Sequence, residues 1–344
     1  MKGFHKFLGV ASIIFLAVLV VATSFTGYYI SKNKDILSNF GNFKVDGKNF
    51  DYNWSIFNNN RSSQFETLTV SQTDNFTLPD SIVINSSLED VIFIEEDRSD
   101  IMVEYYNEYP NSPLYSIDYK IEQLENTLYI NSYYSVTNIF IDRAYASYIN
   151  VHIPKDYQCN ILDLTLSMGE ITNHSIFDNI NNLYLSASLG NVELDITTPK
   201  ESISVNSEMG AITLNVSAPV QSFDSKSNFG EIKLNFTETI GTLVCELDMG
   251  SLEITSDKNI EHARFSTKMG STQGTFYSNI ATLSANADLG NIDLSFYDND
   301  STATYIDSNL GHIDVDSSFK VVKESEGPDF RIYSNMGNVT LSSK

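Results

Sequence analysis

The stretch ISVNSEMGAITLNV, residues 203–216, decides the fold. With Gly210 as position zero, Ile203, Val205, Ser207 and Met209 fall at −7, −5, −3 and −1, and Ile212, Leu214 and Val216 at +2, +4 and +6. Apolar or small residues alternating with polar ones mark strands with one buried face. The alternation slips at the glycine, where −1 and +2 are both expected to point inward. Glycine takes positive φ without steric cost and so suits a corner at that slip.

The same unit recurs down the C-terminal half. Its corner glycines are Gly169, Gly190, Gly210, Gly230, Gly250, Gly270, Gly290, Gly311 and Gly337, each preceded by Met, Leu or Phe, at intervals of 21, 20, 20, 20, 20, 20, 21 and 26 residues. A fixed period near twenty marks stacked repeats, since one such unit cannot bury its apolar face alone. Strand, corner, second strand and a return loop of about six residues make one coil, stacked at about 4.8 Å on its neighbour. Independent hairpins would carry Asn-Gly or Asp-Gly turns and less even spacing. The expectation is all-β: a parallel β-solenoid over 161–344. Residues 79–160 form its entry region, with wider turns of the same stack. Asn173 and Gly274 sit at +4, where a large aliphatic is expected, so irregular coils are expected there. Six extra residues around 323–328 read as a loop pushed out of the last coil.

Residues 7–30 contain no charged side chain, and 24 apolar-rich residues suffice to span a bilayer as a helix. A tail, 1–6, precedes this transmembrane anchor, and a spacer, 31–78, follows it. Cleavage after a small residue near Val20 and Ala22 is the competing reading. Lys2 and Lys6 precede the span, and Lys32, Lys34, Lys44 and Lys48 follow it, so charge leaves orientation open. The expected location is the cell membrane, single-pass, with an extracytoplasmic body.

The formal net charge of −23, with 21 Lys and Arg against 44 Asp and Glu, offers no basic stripe for nucleic acid. Cys159 and Cys245 lie about four coils apart, roughly 19 Å at strand spacing, beyond the reach of a disulfide. The histidines His5, His152, His174, His262 and His312 form no metal-ligand motif, and no phosphate-binding glycine loop occurs.

The order of segments carries a resemblance. Strands from Asp80 to Ile94, then Leu128-Tyr129-Ile130, then Val151-His152-Ile153-Pro154-Lys155, then repeated glycine steps, resemble a bacterial family of adhesin candidates with β-strand repeats, a domain of unknown function. The resemblance implies an envelope-associated, membrane-tethered β-solenoid, sometimes linked to envelope stress, with no catalytic residues to carry over.

Three functions are weighed. The first is a non-enzymatic envelope-binding, adhesin-like module without cofactor, whose polar outward rows suit a cell-wall glycan or an envelope protein. The second is a scaffold that self-associates through open terminal coils, the last ending at 339–344. The third, a polysaccharide-acting β-helix enzyme, needs clustered basic and acidic groups, yet only Arg264 and Arg331 lie beyond Gly169. No metal site is assigned. Glu253, Asp293 and Asp314, all at +3, are the cation candidates, with Asp293 and Asp314 expected as neighbours in consecutive coils.

Overall fold

A computed structural model describes residues 67–110, 115–136, 147–173, 175–298 and 302–344, with two short paired strands, Lys44–Val45 and Lys48–Asn49. The expected anchor, 7–30, lies outside the described residues. No helix among the described residues is long and apolar enough to cross a membrane. The chain divides into two units, residues 1–64 and 65–344. The second unit is all-β.

From Cys159 onward every strand pair is parallel and in register. Gly230, Gly250 and Gly270 align in one column. Positions −7, −5 and −3 and positions +2, +4 and +6 of the regular coils are buried, as in Phe223, Ser225 and Ser227 with Ile232, Leu234 and Phe236. The column of glycines is a seam of close backbone contact. A Cβ on Gly250 would lie 1.6 Å from the Gly230 carbonyl oxygen, and the Gly250 φ of 140° is one that other residues rarely adopt. Where the strand breaks at the corner, an asparagine at +1 substitutes for a ladder acceptor. The Asn191 Oδ1 accepts from the Ala211 amide at 2.9 Å, and Asn291 Oδ1 from the Asn338 amide at 2.8 Å.

Several expectations need correction. The return takes three residues, as at 237–239 between Val220–Phe236 and Ile240–Ser256. Strands therefore begin at −10, where Ile180, Val220, Ile240, Ile260 and Ile280 are buried. Position −1 does not point inward. The chain turns across −2 to +1, which leaves −1 outside the corner, and Leu189, Phe229 and Leu289 are about 40% exposed there (42%, 43% and 38%). Coil one is irregular at Asn173 as expected. A two-residue strand, Ile171–Thr172, gives way to a 3-10 turn, Ser175–Asn179, and Asn173 bonds instead to Asp195. At Gly274 the strand Ile260–Phe276 runs through without a break. The missing side chain makes room for the Phe276 ring, whose Cε2 would lie 2.6 Å from a Cβ at that position.

The last two coils exchange places. Leu283–Leu289 pairs with Phe330–Met336, and that strand pairs on its other side with Thr304–Leu310. Ile292–Phe296 likewise pairs with Val339–Ser343, which in turn pairs with Ile313–Val315. Segment 330–343 is thus an internal rung, and the coil of Gly311 ends the stack among the described residues. Among the described residues, only Ala303 and Thr304 of that end coil are paired on the far side, with Lys320 and Val321. Buried Phe319 packs edge-on against Phe296 beneath them.

The entry region is more than a set of wider turns. Ser81–Ser86 pairs in parallel with Ile161–Leu166 and with Thr127–Ser132, which extends the stack. Beyond it, Tyr115–Leu124 folds back antiparallel on Thr127–Val136. A separate mixed sheet runs in the order Thr67–Phe76, Ile101–Pro110, Ser147–Pro154, Asp90–Glu96, antiparallel except at its last pair. Glu89 joins the two sheets. Its buried carboxylate accepts hydrogen bonds from Ser86 and Ser132 on one side and from Tyr105 and Asn107 on the other.

Candidate functional site

The second strand of each coil presents two outward columns, at +3 and +5. In spatial order the +3 column runs Glu193, Thr213, Lys233, Glu253, Gln273, Asp293, Thr340 and Asp314. Thr340, on the inserted rung, separates Asp293 from Asp314, so these two carboxylates are not neighbours. Two rungs put them roughly 10 Å apart, too far to share one cation. Glu253 is engaged by Lys233, with Nζ 3.3 Å from Oε2. The three cation candidates are therefore not brought together. No cluster of three or more metal-ligating side chains occurs among the described residues.

The +5 column is a ladder of amides and hydroxyls with two carboxylates, Asp195 and Asp316. Asn215 Nδ2 donates to Asp195 Oδ1 at 2.8 Å, and the hydroxyls of Ser295 and Ser342 are bonded at 2.8 Å. At the end of the same strands, position +7 places Tyr277 and Tyr297 one above the other. Their ring centroids are 4.6 Å apart and their planes 27° from parallel, and both rings stay nearly half exposed. Lys344 Nζ lies 5.9 Å from the Tyr297 centroid. The result is an aromatic shelf beside Gln273, Thr275, Asp293, Ser295, Thr340 and Ser342. Such a surface offers apolar ring area together with hydroxyl, amide and carboxylate partners. Column reasoning could have found the shelf, because the two tyrosines are one period apart in the sequence.

The titratable groups pushed furthest from their ordinary values lie elsewhere. Burial pushes the Cys245 thiol up to about 12, and both cysteines are free thiols. Burial lowers Lys200 to about 8, opposed by nearby Asp178. This lysine occupies the −10 column between Ile180 and Val220, and its Nζ donates to Thr198 Oγ1 at 2.6 Å and to the Asp178 carbonyl at 3.2 Å. Burial raises Glu89, but the hydrogen bonds from Ser132, Ser86 and the Leu88 amide outweigh it and hold the carboxyl below its ordinary value. His152 is wedged between two glutamates, with Nδ1 2.9 Å from Glu96 and Nε2 3.2 Å from Glu104. A different ring nitrogen faces each carboxylate, which is the geometry of a bridge rather than of a chelate. Of the other histidines, His174 lies outside the described residues, His262 bonds Thr282 at 2.8 Å, and His312 stands exposed at the end coil.

With this fold in view, the class is a stacked all-β repeat that presents linear side-chain columns. The Toastrack DUF4097 family model matches residues 80–341, and the chain belongs to that family. No curated protein matches it. Similar solved structures include a candidate adhesin from Bacteroides fragilis NCTC 9343, 12% identical, covering 80% of this chain and 97% of that one, with a TM-score of 0.32. A candidate cell-adhesion protein from Clostridium sporogenes ATCC 15579 is 7% identical, with coverage of 80% and 100% and a TM-score of 0.20. A candidate lipid-binding protein from Parabacteroides distasonis ATCC 8503 is 12% identical, with coverage of 80% and 96% and a TM-score of 0.25.

Proposed function

We propose that this protein is a non-enzymatic, adhesin-like module, tethered to the membrane by residues 7–30, whose extracytoplasmic solenoid binds a polysaccharide of the cell envelope. The observation that carries this reading is the Tyr277–Tyr297 shelf beside the hydroxyl, amide and carboxylate rows. Sugar rings present apolar C–H faces that settle on exposed aromatic rings, and their hydroxyls bond to side chains of just these types. A polymer with regular spacing can engage successive rungs at once, and the repeated weak contacts add up. Cosedimentation with insoluble cell-wall polysaccharide tests it. The protein pellets with the glycan, and the Tyr277→Ala/Tyr297→Ala pair weakens binding at least tenfold. Unchanged binding by that pair, or no binding by the parent, defeats the proposal. Protease accessibility of the body in intact cells tests its side of the membrane.

A scaffold joined through its ends is the second reading. The edge that favours it is the end coil of Gly311, where Leu310 is 67% exposed, rather than residues 339–344. Concentration-dependent filaments under the microscope would support it, and their absence would retire it.

A further inference from the structure

The −1 column is a continuous apolar ridge on the outside of the stack. Register places Leu189 beside Met209, Phe229 beside Met249, Leu289 beside Met336, and Met336 beside Leu310. Every one of the nine coils carries Met, Leu or Phe here, although the side chain stands at the surface. The outward columns on either side are mostly charged, amide and hydroxyl residues, with Ala211 and His312 the exceptions. The core does not require this uniformity, because −3 and +2 already close it. Eight steps of about 4.8 Å make the ridge about 38 Å long. The glycine seam runs alongside as a shallow trench without side chains.

We propose that this ridge is a lateral self-association surface, on which a second copy of the chain packs side by side with its own ridge. Three observations select that occupant. The first is spacing: a second copy repeats its apolar groups at the same interval, so all nine contacts form in one register. The second is area. Roughly a third of each of nine large apolar side chains amounts to about 600 Å², most of the ~800 Å² per partner of a standard interface, and at the upper end of the patch size that a monomer leaves uncovered. The third is charge. When two ridges run parallel about a two-fold axis along the stack, column −2 of one copy faces column +1 of the other. Glu208 then meets Ala211, Asp248 meets Ser251, Asp288 meets Asn291, and Asn228 meets Glu231. No like charges are opposed. The same acidic flanks oppose docking on an anionic membrane surface. The interface leaves the tyrosine shelf, beyond the +2 to +6 strand, open in both copies.

Two measurements on the full-length chain in detergent test this. Leu189→Cys is a conservative change that places a thiol where parallel copies bring residue 189 against itself, while Cys159 and Cys245 stay buried. Mild oxidation yields a disulfide-linked dimer for Leu189→Cys and none for Glu193→Cys, on the second strand of the same coil. Sedimentation of Phe229→Lys/Leu289→Lys, with circular dichroism as the folding control, shows the dimer dissociation constant raised at least 100-fold. An absence of cross-linking at position 189, a monomeric parent, or a folded lysine variant that dimerises as the parent does would each overturn the proposal. None of these outcomes bears on glycan binding, which is read separately.

Discussion

Replacing Gly250 with alanine tests the glycine seam at mid-stack, with four intact coils on either side. The added Cβ would sit 1.6 Å from the Gly230 carbonyl oxygen and 2.8 Å from its carbon. Backbone has to move by more than 1 Å to restore an ordinary contact, in a ladder that pairs Gly250 with Gly230 on one side and Gly270 on the other. Overpacking of this sort costs about 1–3 kcal/mol. A φ of 140° on a non-glycine residue adds about 1–3 kcal/mol. Together they predict a loss of about 4 kcal/mol, or roughly 10 °C in melting temperature for a body of this size. Urea and thermal unfolding followed by circular dichroism read it. Gly327→Asn is the control. Its φ is 71°, nothing lies within 4 Å of a Cβ there, and asparagine tolerates the left-handed region, so a few tenths of a kcal/mol are expected. If Gly250→Ala costs under about 1 kcal/mol, or no more than the control, the close seam is not what holds the coils in register.

Two further predictions follow the buried charges. Lys200 has a folded pKa of about 8 against an ordinary 10.5, so between these values the unfolded chain binds more protons and stability rises with pH, the penalty being fully present below pH 8. Lys200→Ile completes the aliphatic column, removes that slope from unfolding curves taken between pH 7.5 and 10.5, and leaves the protein at least as stable at pH 7; a slope that survives the substitution refutes the assignment. Glu89 is held below its ordinary value, so the stability it contributes is present above pH 4.5 and is lost as pH falls through the folded value. Glu89→Gln turns an amide NH₂ toward donors and is expected to cost about 2–3 kcal/mol at pH 7 and to flatten the acid limb of the stability profile; unfolding curves indistinguishable from the parent's would contradict this.

The glycine period and the inward −7, −5, −3, +2, +4 and +6 positions were legible because only one arrangement buries them all. Position −1 was not. Met209 continues the alternation of Val205 and Ser207, and alternation alone does not say on which side of a corner its last member falls. The antiparallel entry strands escaped for a related reason, since a period of two encodes a face and not a direction. Glu89 gave no signal, because its four side-chain partners come from three separate segments. The placing of the last rung was hidden by the repetition itself. Any coil order satisfies the same pattern, so Asp293 and Asp314 looked adjacent. The one trace of the exchange was the longer final interval, whose extra residues carry the chain back past the end coil.

That exchange gives the end of the molecule an order of assembly. As the chain leaves the ribosome, the segment 303–315 emerges first and finds a bare edge at 283–296, the edge that residues 330–343 occupy in the finished protein. Native closure therefore waits until residues 330–343 are free, when they must slip into the gap like a drawer pushed between two shelves. A deletion within 330–343 accordingly acts on the interior of the pile rather than on its rim.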